Sequence, residues 1–536
     1  MTSKNIIVCA DGTGNRGGYS PDSNVYKIYN AVDKGFSGRT EDGADISEQI
    51  IFYDNGVGTD TNKYIRALGG AIGFGFGRNV CDLYKYIARN YKPGDRIYFF
   101  GFSRGASTVR ACNGMISKCG LIKTQGLRNR ELDALVSEAF DTYKLCKKQP
   151  ELAEDFKNSE RSHGAVAIHF LGIWDTVVAL GFPKRTDVTG PVTLVLNFLF
   201  LVFEKILDFL WPHSFYHYKL TDNVEYACQA LSIDDERTAF WPYVWQEKGI
   251  EGAVDRTSDN VEQVWFAGMH SNVGGGYERS GMAGVPLHWM VNHAKHHGLM
   301  FGQSDLQDIY SDCHIHGRMY NSRDGVGFFY RYHPREIKGL CQDKLLGAVK
   351  IHCSVMERMN HRTANYAPGH IPANFEVVDS EVPANITPLS FDGNNDWSVT
   401  RDLIDKVVLF RKQLYGVMLA SIIFVISAAF FLSDDSLPAE TQYSILDKIS
   451  GFFYSLLPDF FTGLINVAVV QKPYYLLAAI VFVFIYLKVR RSLHKQTVSL
   501  CETLRHYIIN DAEQQADCAN NVRTNTDGYD DRYDDK

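Results

Sequence analysis

The strongest constraint on the fold is a short apolar segment that leads directly into a G-x-S-x-G motif. Residues 96–105 read Arg-Ile-Tyr-Phe-Phe-Gly-Phe-Ser-Arg-Gly, and the stretch 106–118 that follows is compatible with a helix. A serine on a tight strand-to-helix turn needs small residues two positions before it and two after it. Gly101 and Gly105 meet this need around Ser103. The pattern predicts that Ser103 Oγ stands above the end of a sheet, beside a helix N-terminus that can stabilise an oxyanion.

Other apolar segments alternate with helical patterns along the chain. Besides the segment before Ser103, we predict strands at residues 5–10, 49–53, 166–173 and 263–267, the last being the final clear one. Apolar residues from Val80 to Ala88 recur at helical spacing, and Lys92-Pro-Gly94 ends that helix. Apolar strands that alternate with helices favour an α/β fold with a mostly parallel sheet and helices on both faces. In such sheets the functional residues lie just past the carboxyl ends of the strands.

Composition excludes several function classes. The chain has 536 residues and a net charge of −7, and it contains no dense basic stripe, so we predict no nucleic-acid partner. Its 11 cysteines are scattered without a C-x-x-C pair, which favours free thiols in a reducing compartment. The N-terminus runs directly into a strand, so we expect no cleavable signal peptide.

Two apolar segments in the C-terminal part predict a membrane hairpin. Residues 414–432 form an uncharged run that would extend about 28 Å as a helix, close to the bilayer core of about 30 Å. The second predicted helix covers about residues 467–487 and is interrupted near Pro473. Basic residues flank the hairpin and acidic ones lie in its loop, so the positive-inside rule places both ends and the catalytic domain on the cytoplasmic side.

The sequence therefore divides into three predicted parts. Residues 1–400 form the α/β catalytic domain, 401–495 form the α-helical transmembrane hairpin, and 496–536 form a polar, acidic tail. One apolar insert, 191–211, is interrupted by charged residues. This insert is either a buried core helix or a lid that contacts the membrane near the active site.

A nucleophilic serine requires a base within hydrogen-bond reach and an acid that orients the base. In α/β-hydrolases these residues follow one another in the order serine, acid, histidine. Asp175 follows Ser103 at a predicted strand end, and His270 follows Asp175 at the next one. We predict these three as the catalytic residues of an α/β-hydrolase-like fold.

Alternatives to two of these residues remain open. Asp175 is also placed where it could cap a turn, and His270 could be a hydrogen-bonded turn histidine. Asp234 and Asp235 are weaker candidates for the acid, because their surroundings are typical of a helix entry or a surface cluster. His352 is the second candidate for the base.

The oxyanion of an acyl-transfer reaction needs backbone N–H donors. Arg104 is predicted to supply one, and the glycine-rich loop at Gly12 and Thr13 is predicted to supply the second. Four further residues are predicted to support the site: Asp11, Asn15, Asp54 and Asn272. We predict no cofactor and no resident metal, although Asp11 is either an orienting carboxylate or a cation ligand. The Gly-rich segment 73–77 lacks the spacing of a dinucleotide fingerprint.

Seven motifs carry a family resemblance. The first five are Asp11-Gly-Thr-Gly-Asn15, Tyr53-Asp-Asn-Gly-Val-Gly-Thr59, Gly101-Phe-Ser-Arg-Gly-Ala106, Gly172-Ile-Trp-Asp-Thr-Val177 and Gly268-Met-His-Ser-Asn-Val-Gly-Gly-Gly-Tyr277. The later two are Ile351-His-Cys-Ser-Val-Met-Glu-Arg358 and Tyr366-Ala-Pro-Gly-His-Ile-Pro372. Over about residues 4–375 the sequence resembles the bacterial α/β-hydrolase-like family that includes type VI secretion phospholipase effectors. The resemblance implies the family's catalytic residues at Ser103, Asp175 and His270, and an aspartate where this chain has Asn272.

These observations predict a membrane-anchored serine hydrolase that cleaves carboxyl esters of lipids, with membrane phospholipids as its partners. The resemblance implies a phospholipase. It leaves open whether the chain is a type VI secretion effector, with an unknown secretion partner or immunity protein, or a resident enzyme. One alternative is a tethered esterase or peptidase that acts on soluble substrates. Another is a membrane-perturbing protein in which the hydrolase fold is only a scaffold.

Overall fold

The computed structural model of the protein describes residues 3–19, 21–56, 75–177, 219–248, 260–325, 327, 330–379, 389–391, 394–432 and 473–527. The strands in these residues are β1 (Ser3–Ala10), β2 (Gly38–Arg39), β3 (Asp45–Asp54), β4 (Arg96–Phe102), β5 (Ile168–Trp174), β6 (Val224–Ser232), β7 (Val261–Phe266), β8 (Val349–His352), β9 (Asn374–Val378) and β10 (Leu389–Ser390). The α-helices are α1 (Asn24–Ala31), α2 (Phe76–Asn90), α3 (Arg104–Cys119), α4 (Asn129–Leu145), α5 (Pro150–Asn158), α6 (His270–Gly274), α7 (Gly281–His296), α8 (Gln303–Ser311), α9 (Ile337–Cys341), α10 (Cys353–Asn360), α11 (Asn395–Leu432) and α12 (Pro473–Asp527).

The described strands form one sheet in the order β10-β9-β8-β7-β6-β5-β4-β1-β3-β2. The strands from β9 to β3 pair in parallel, and β10 and β2 add one antiparallel strand at each edge. This confirms the predicted mostly parallel α/β fold. The order along the sheet reverses between β4 and β1, and open α/β sheets bind ligands in the crevice at such a reversal. The loops that follow β4 and β1 are therefore the expected position of the site.

Both faces of the sheet are covered by helices, as the apolar strands predicted. Along β1, Val8 and Ala10 belong to a buried cluster with α2, α3, α4 and α5. The alternate residues Ile7 and Cys9 belong to a second cluster with α1, α7 and α8. Successive side chains of a strand point to opposite faces, so a strand buried on both sides carries no polar face. Each fully buried aliphatic side chain contributes about 1.5–3 kcal/mol to this packing.

The structure corrects the strand inventory. The predicted segments 5–10, 49–53 and 263–267 lie in or overlap β1, β3 and β7. The segment 263–267 is not the final strand, because β8, β9 and β10 follow it, and β6 was not predicted. The strands that were not predicted lie beyond β5 in the sheet. They are on the side of the site that holds Asp175 and His270.

The described residues fall into two compact units, one containing residues up to 398 together with those from 502 onward, the other containing 399–432 and 473–501. The predicted segment 414–432 is helical within α11, and residues 473–487 begin α12, which becomes strongly charged after them. The predicted transmembrane hairpin is not supported: among the described residues, no helix combines the length and the apolar character needed to cross a membrane. Residues 433–472 lie outside the described residues.

The two remaining predicted segments are the apolar insert and the C-terminal tail. The apolar insert 191–211 lies outside the described residues. The predicted polar tail from 496 continues as the end of α12 up to Asp527. Leu504 and Ile508 on this stretch are buried, and Arg505 donates a hydrogen bond to the Tyr366 carbonyl at 3.2 Å. The tail is therefore helical up to Asp527, and its part around residues 504–508 is packed.

Candidate active site

Ser103 occupies the sharp turn that joins β4 to α3. Its backbone φ is 57°, in the left-handed region that non-glycine residues rarely adopt. Glycines on both sides allow the close packing of this turn. A Cβ on Gly105 would lie 2.1 Å from the carbonyl oxygen of Ala10, and a Cβ on Gly101 would lie 2.7 Å from the Cα of Ala106. The two glycines are therefore required sterically, as the motif predicted.

Replacement of Gly105 by alanine is expected to lower the free energy of unfolding by about 3 kcal/mol, because the new methyl group overlaps the backbone of β1. Urea unfolding monitored by circular dichroism measures this change. Gly347→Ala is the matched control, since a Cβ there meets nothing within 4 Å. Equal unfolding midpoints for the two variants would show that the close approach at Gly105 does not limit stability.

The structure brings the three predicted catalytic side chains together. His270 Nε2 lies 2.7 Å from Ser103 Oγ, and His270 Nδ1 lies 2.5 Å from Asp175 Oδ2. Asp175 directly follows β5, and His270 is the first residue of α6 after β7. The side chains are 7%, 0% and 4% exposed for Ser103, Asp175 and His270. A hydroxyl, an imidazole and a carboxylate joined in this order can activate the hydroxyl as a nucleophile.

Asp175 has a second partner that the sequence did not reveal. Arg335 is fully buried, and its Nη1 and Nη2 donate to Asp175 Oδ1 and Oδ2 at 2.6 and 2.7 Å. The same guanidinium donates to the carbonyls of Ser232 and Phe240, which fixes its plane. Burial by itself would raise the pKa of Asp175, but Arg335, with a smaller contribution from His270, holds that pKa well below its usual range. The carboxylate therefore stays ionised in an interior that excludes water.

His270 is held between two aromatic rings. The centroids of Phe102 and Phe240 lie 4.6 and 5.0 Å from the centroid of its imidazole. Its backbone N–H donates to Asp235 Oδ2 at 3.3 Å. Burial lowers the pKa of His270 from its usual 6.5, and this effect outweighs the opposite one of Asp175. The imidazole is therefore neutral near neutral pH and able to accept a proton.

The side chains of the alternative acids and base are bonded to groups other than Ser103 Oγ and the His270 ring. Asp235 is fully buried, so the prediction of a surface cluster was wrong for it. Asp234 accepts hydrogen bonds from the Gly268 N–H at 2.6 Å and from the Tyr366 hydroxyl at 2.9 Å. Burial raises the pKa of Asp234 to about 6. His352 Nε2 lies 3.0 Å from Asp379 Oδ2, at the end of β8.

The loop after β1 is organised by Asp11. Four groups donate hydrogen bonds to its carboxylate at 2.5–3.0 Å: Gly12 N–H, Asn15 Nδ2, Ser23 Oγ and Tyr53 Oη. Burial raises the pKa of Asp11 even against these bonds. A carboxylate surrounded by donors serves as an acceptor that fixes the loop, which favours the orienting role over the cation ligand. The Gly12 N–H therefore donates to Asp11. Of the two loop residues predicted to donate to the oxyanion, this leaves Thr13.

Thr13 and Arg104 lie where the two loops approach each other. A Cβ on Gly12 would lie 3.2 Å from the Cβ of Ser103, so the loop after β1 passes directly beside the serine. Thr13 Oγ1 is shielded from solvent and has no hydrogen-bond partner among the described residues. Arg104 is the first residue of α3, where backbone N–H groups point out of the helix. Burial lowers the pKa of the Arg104 side chain to about 10.

Comparison with known proteins identifies the family. The sequence profile described as "T6SS, Phospholipase effector Tle1-like, catalytic domain" matches residues 4–293, which is more than half of the 536 residues. The chain belongs to the Tle1-like phospholipase effector family. Ser103, Asp175 and His270 all lie inside the matched range, which confirms the resemblance seen in the motifs.

Individual relatives are more distant. An uncharacterized protein of Saccharomyces cerevisiae is 33% identical over 202 residues, which are 34% of this chain and 27% of the yeast protein. The matched region thus spans about a quarter of that relative. A crystal structure of an uncharacterized protein from Pseudomonas aeruginosa covers 85% of this chain and 66% of its own, at 14% identity and a TM-score of 0.36. The Tle1 effector bound to the VgrG spike of the type 6 secretion system covers 52% of each chain, at 18% identity and a TM-score of 0.27. These scores are too low for either structure to bear on the present fold.

Two predicted supporting residues stabilise the surroundings of the site in this Tle1-like chain. Asn272, at the position where the family resemblance implies an aspartate, donates to the Arg318 carbonyl at 3.1 Å and accepts from the Tyr320 N–H at 3.1 Å. It thereby ties the segment around residue 319 to the helix that begins at His270. Asp54 accepts from Asn79 Nδ2 at 2.6 Å, and burial raises its pKa to about 7.

Proposed function

We propose that this chain is a serine hydrolase that cleaves a carboxyl ester of phospholipids. The observation that carries the proposal is the continuous hydrogen-bonded line from Ser103 Oγ through His270 to Asp175, with distances of 2.7 and 2.5 Å. Membership of the Tle1-like phospholipase effector family supports phospholipids as the substrate class. The neutral imidazole and the ionised carboxylate support proton transfer from the serine.

In the proposed reaction, Ser103 Oγ attacks the ester carbonyl carbon while His270 Nε2 takes the hydroxyl proton. Asp175 accepts a hydrogen bond from the Nδ1–H of His270, which leaves Nε2 unprotonated and stabilises the imidazolium that forms. When the tetrahedral intermediate collapses, His270 returns the proton to the leaving alcohol, which departs as a lysophospholipid. A water molecule then attacks the acyl-serine, His270 accepts its proton, and the fatty acid is released as Ser103 recovers its own.

The negative charge of the intermediate requires donors on the side of the loop after β1. We assign the Arg104 N–H and the Thr13 N–H to this task, with the Thr13 hydroxyl as an additional donor. The hydroxyl supports this assignment because it is a shielded polar group without a partner among the described residues. Each such donor typically contributes about 10²–10³-fold to the rate.

The pH dependence of the reaction follows from the lowered pKa of His270. The base must be neutral to accept a proton, and burial lowers its pKa from 6.5. We therefore expect kcat/KM to fall on the acid side with a midpoint below pH 6.5. Hydrolysis of phospholipid vesicles across a pH series measures the midpoint, with circular dichroism at each pH to exclude unfolding. An acid midpoint above 6.5 in folded protein would contradict the proposed state of the base.

The proposed function is tested by incubating the purified full-length chain with phospholipid vesicles and identifying the products by mass spectrometry. We expect free fatty acid and lysophospholipid in equal amounts. Hydrolysis of short-chain nitrophenyl esters without release of fatty acid from vesicles would favour an esterase of soluble substrates. Leakage of a trapped dye without either product would favour a membrane-perturbing protein.

We propose further that residues 401–495 hold the enzyme at its lipid substrate, with the catalytic domain on the cytoplasmic side. The uncharged run 414–432 supports attachment, as do the exposed apolar side chains of α12, among them Leu477 at 63% and Phe484 at 68% exposure. Carbonate extraction of cells that produce the chain tests this proposal. Recovery in the membrane pellet is expected, and full recovery in the carbonate supernatant would overturn it.

Delivery by a type VI secretion system is a separate proposal that rests on the family description. The expected observation is release of the chain into the medium by cells with an active secretion apparatus, and retention by cells that lack its sheath. Equal amounts in both media would contradict it. The hydrolase proposal does not depend on this outcome.

A further inference from the structure

A cluster of side chains apart from the catalytic line formed by Ser103, His270 and Asp175 has the composition of a metal site. His316 lies in the segment that follows α8, Glu357 lies on α10, and His361 directly follows that helix. Their nearest ligand atoms all lie within 4.8 Å of one another, and His316 Nε2 is 3.2 Å from a Glu357 carboxylate oxygen. We propose that these three side chains bind a zinc ion.

The donor set suits zinc. Two imidazole nitrogens and one carboxylate oxygen are ligands of open zinc sites, in which a water molecule completes the tetrahedron. The three side chains are exposed, with His316 and Glu357 at 44% and 42%, so an ion and its water can enter from solvent. The proposal is independent of the hydrolase chemistry, because none of the three residues contacts the catalytic line.

Each imidazole already has one nitrogen fixed by a neighbouring group. His316 Nδ1 lies 2.6 Å from Thr363 Oγ1, and His361 Nδ1 lies 3.1 Å from the Glu357 carbonyl oxygen. Zinc-binding histidines are typically held in this way, with the second nitrogen hydrogen-bonded so that the first is presented to the ion. In this cluster the arrangement leaves the Nε2 atom of both rings as the ligand.

The backbone around the three ligands is held by hydrogen bonds that do not involve an ion. Arg358 is buried and donates to the carbonyls of Ile315 and Gly317, the residues on either side of His316. The neighbour of Glu357 in sequence therefore anchors the segment that carries His316. Glu357 and His361 are separated by one helical turn, which places them on the same side of the helix end. Binding of an ion would therefore require movement of the three side chains but not of the backbone.

The cluster is connected to the candidate active site through the chain that holds His316. Two residues further on, this chain reaches the Arg318–Tyr320 stretch, which is bonded to Asn272 on the helix that begins at His270. A bound ion would stabilise the segment behind the catalytic base without contacting substrate.

The test uses untagged full-length protein that has been stripped with a chelator and dialysed. Zinc is titrated by calorimetry, and Co²⁺ is used as a spectroscopic probe of tetrahedral coordination. We expect one zinc per chain and the visible absorption of tetrahedral cobalt. His316→Gln and His361→Gln should each abolish both signals, and Thr363→Val should weaken zinc binding by about 10- to 100-fold while retaining all three ligands.

His314→Gln is the matched control, because His314 is an exposed histidine two residues from His316 and outside the cluster. This variant should bind zinc as the wild type does. Absence of binding by the wild type would overturn the proposal and leave a surface ion pair only. Equal binding by the His314 and His316 variants would also overturn it, since the zinc would then be held elsewhere.

Discussion

Replacing Ser103 with alanine is expected to lower kcat/KM for phospholipid hydrolysis by about 10⁴-fold or more. The substitution removes the only atom that can form the acyl-enzyme in the proposed reaction, while a methyl group keeps the packing of the turn. Release of fatty acid from vesicles, quantified by mass spectrometry, measures the loss. The circular dichroism spectrum and the unfolding midpoint should remain close to those of the wild type.

Ser107→Ala is the matched control for this prediction. Ser107 is a buried serine on the same helix, and its hydroxyl donates to the Val177 carbonyl at 2.6 Å. Its removal is expected to reduce stability by about 1–3 kcal/mol, the cost of leaving a buried acceptor unpaired, and to retain the activity of the folded protein. Retention of more than a tenth of the wild-type rate by Ser103→Ala would show that another group is the nucleophile.

Replacing Arg335 with methionine is expected to lower the free energy of unfolding by about 3–5 kcal/mol, because it leaves the Asp175 carboxylate charged, buried and without its strongest partner. The rate should fall as well, since an Asp175 that gains a proton no longer orients His270. Urea unfolding and vesicle hydrolysis measure the two effects. Arg335→Lys, which restores the charge without the two-pronged geometry, should be intermediate in both.

The effect of Arg335 on stability is expected to depend on pH. In the wild type the pKa of Asp175 lies below its value in the unfolded chain, so its stabilisation is present above about pH 4 and is lost as the pH falls through the native pKa. Without Arg335, burial would raise that pKa above the unfolded value, and the native state would lose stability as the pH rises above about 4. The stability gap between wild type and variant should therefore widen from about pH 4 to pH 7.

A double substitution separates this mechanism from a simple loss of packing. In Asp175→Asn the buried charge is absent, so adding Arg335→Met should cost less stability than it does in the wild type. The coupling energy between the two positions is expected to reach about 1–3 kcal/mol. An Arg335→Met effect that is the same with aspartate and with asparagine at position 175 would contradict the proposed pairing.

The turn at Ser103 could be predicted because all of its determinants are local. The apolar strand, the two glycines and the helix that follows lie within residues 96–119, and the steric need for glycine acts between neighbouring atoms. β1 was also predictable, since a strand that is buried on both faces reads as a continuous apolar segment.

The missed strands have weaker local signals. β6 contains Ala227, Gln229 and Ala230 at buried positions, and neither alanine nor a buried polar side chain is typical of a strand. β8 and β9 contain only four and five residues. Their positions are determined by pairing with neighbouring strands, which a periodicity argument does not include.

The chain by itself determined the residue types and positions from which a site can be made. A serine on a glycine-flanked turn, followed by an acid and a histidine at later strand ends, limits the chemistry to nucleophilic catalysis. Tertiary structure alone decided which acid joins the site, because Asp175 and His270 are 95 residues apart and Asp175 and Arg335 are 160 apart. It also decided that the Gly12 N–H donates a hydrogen bond to Asp11. The physical reason is that backbone preferences act over a few residues, whereas charge pairing and hydrogen bonding depend on which distant loops the sheet brings to one edge.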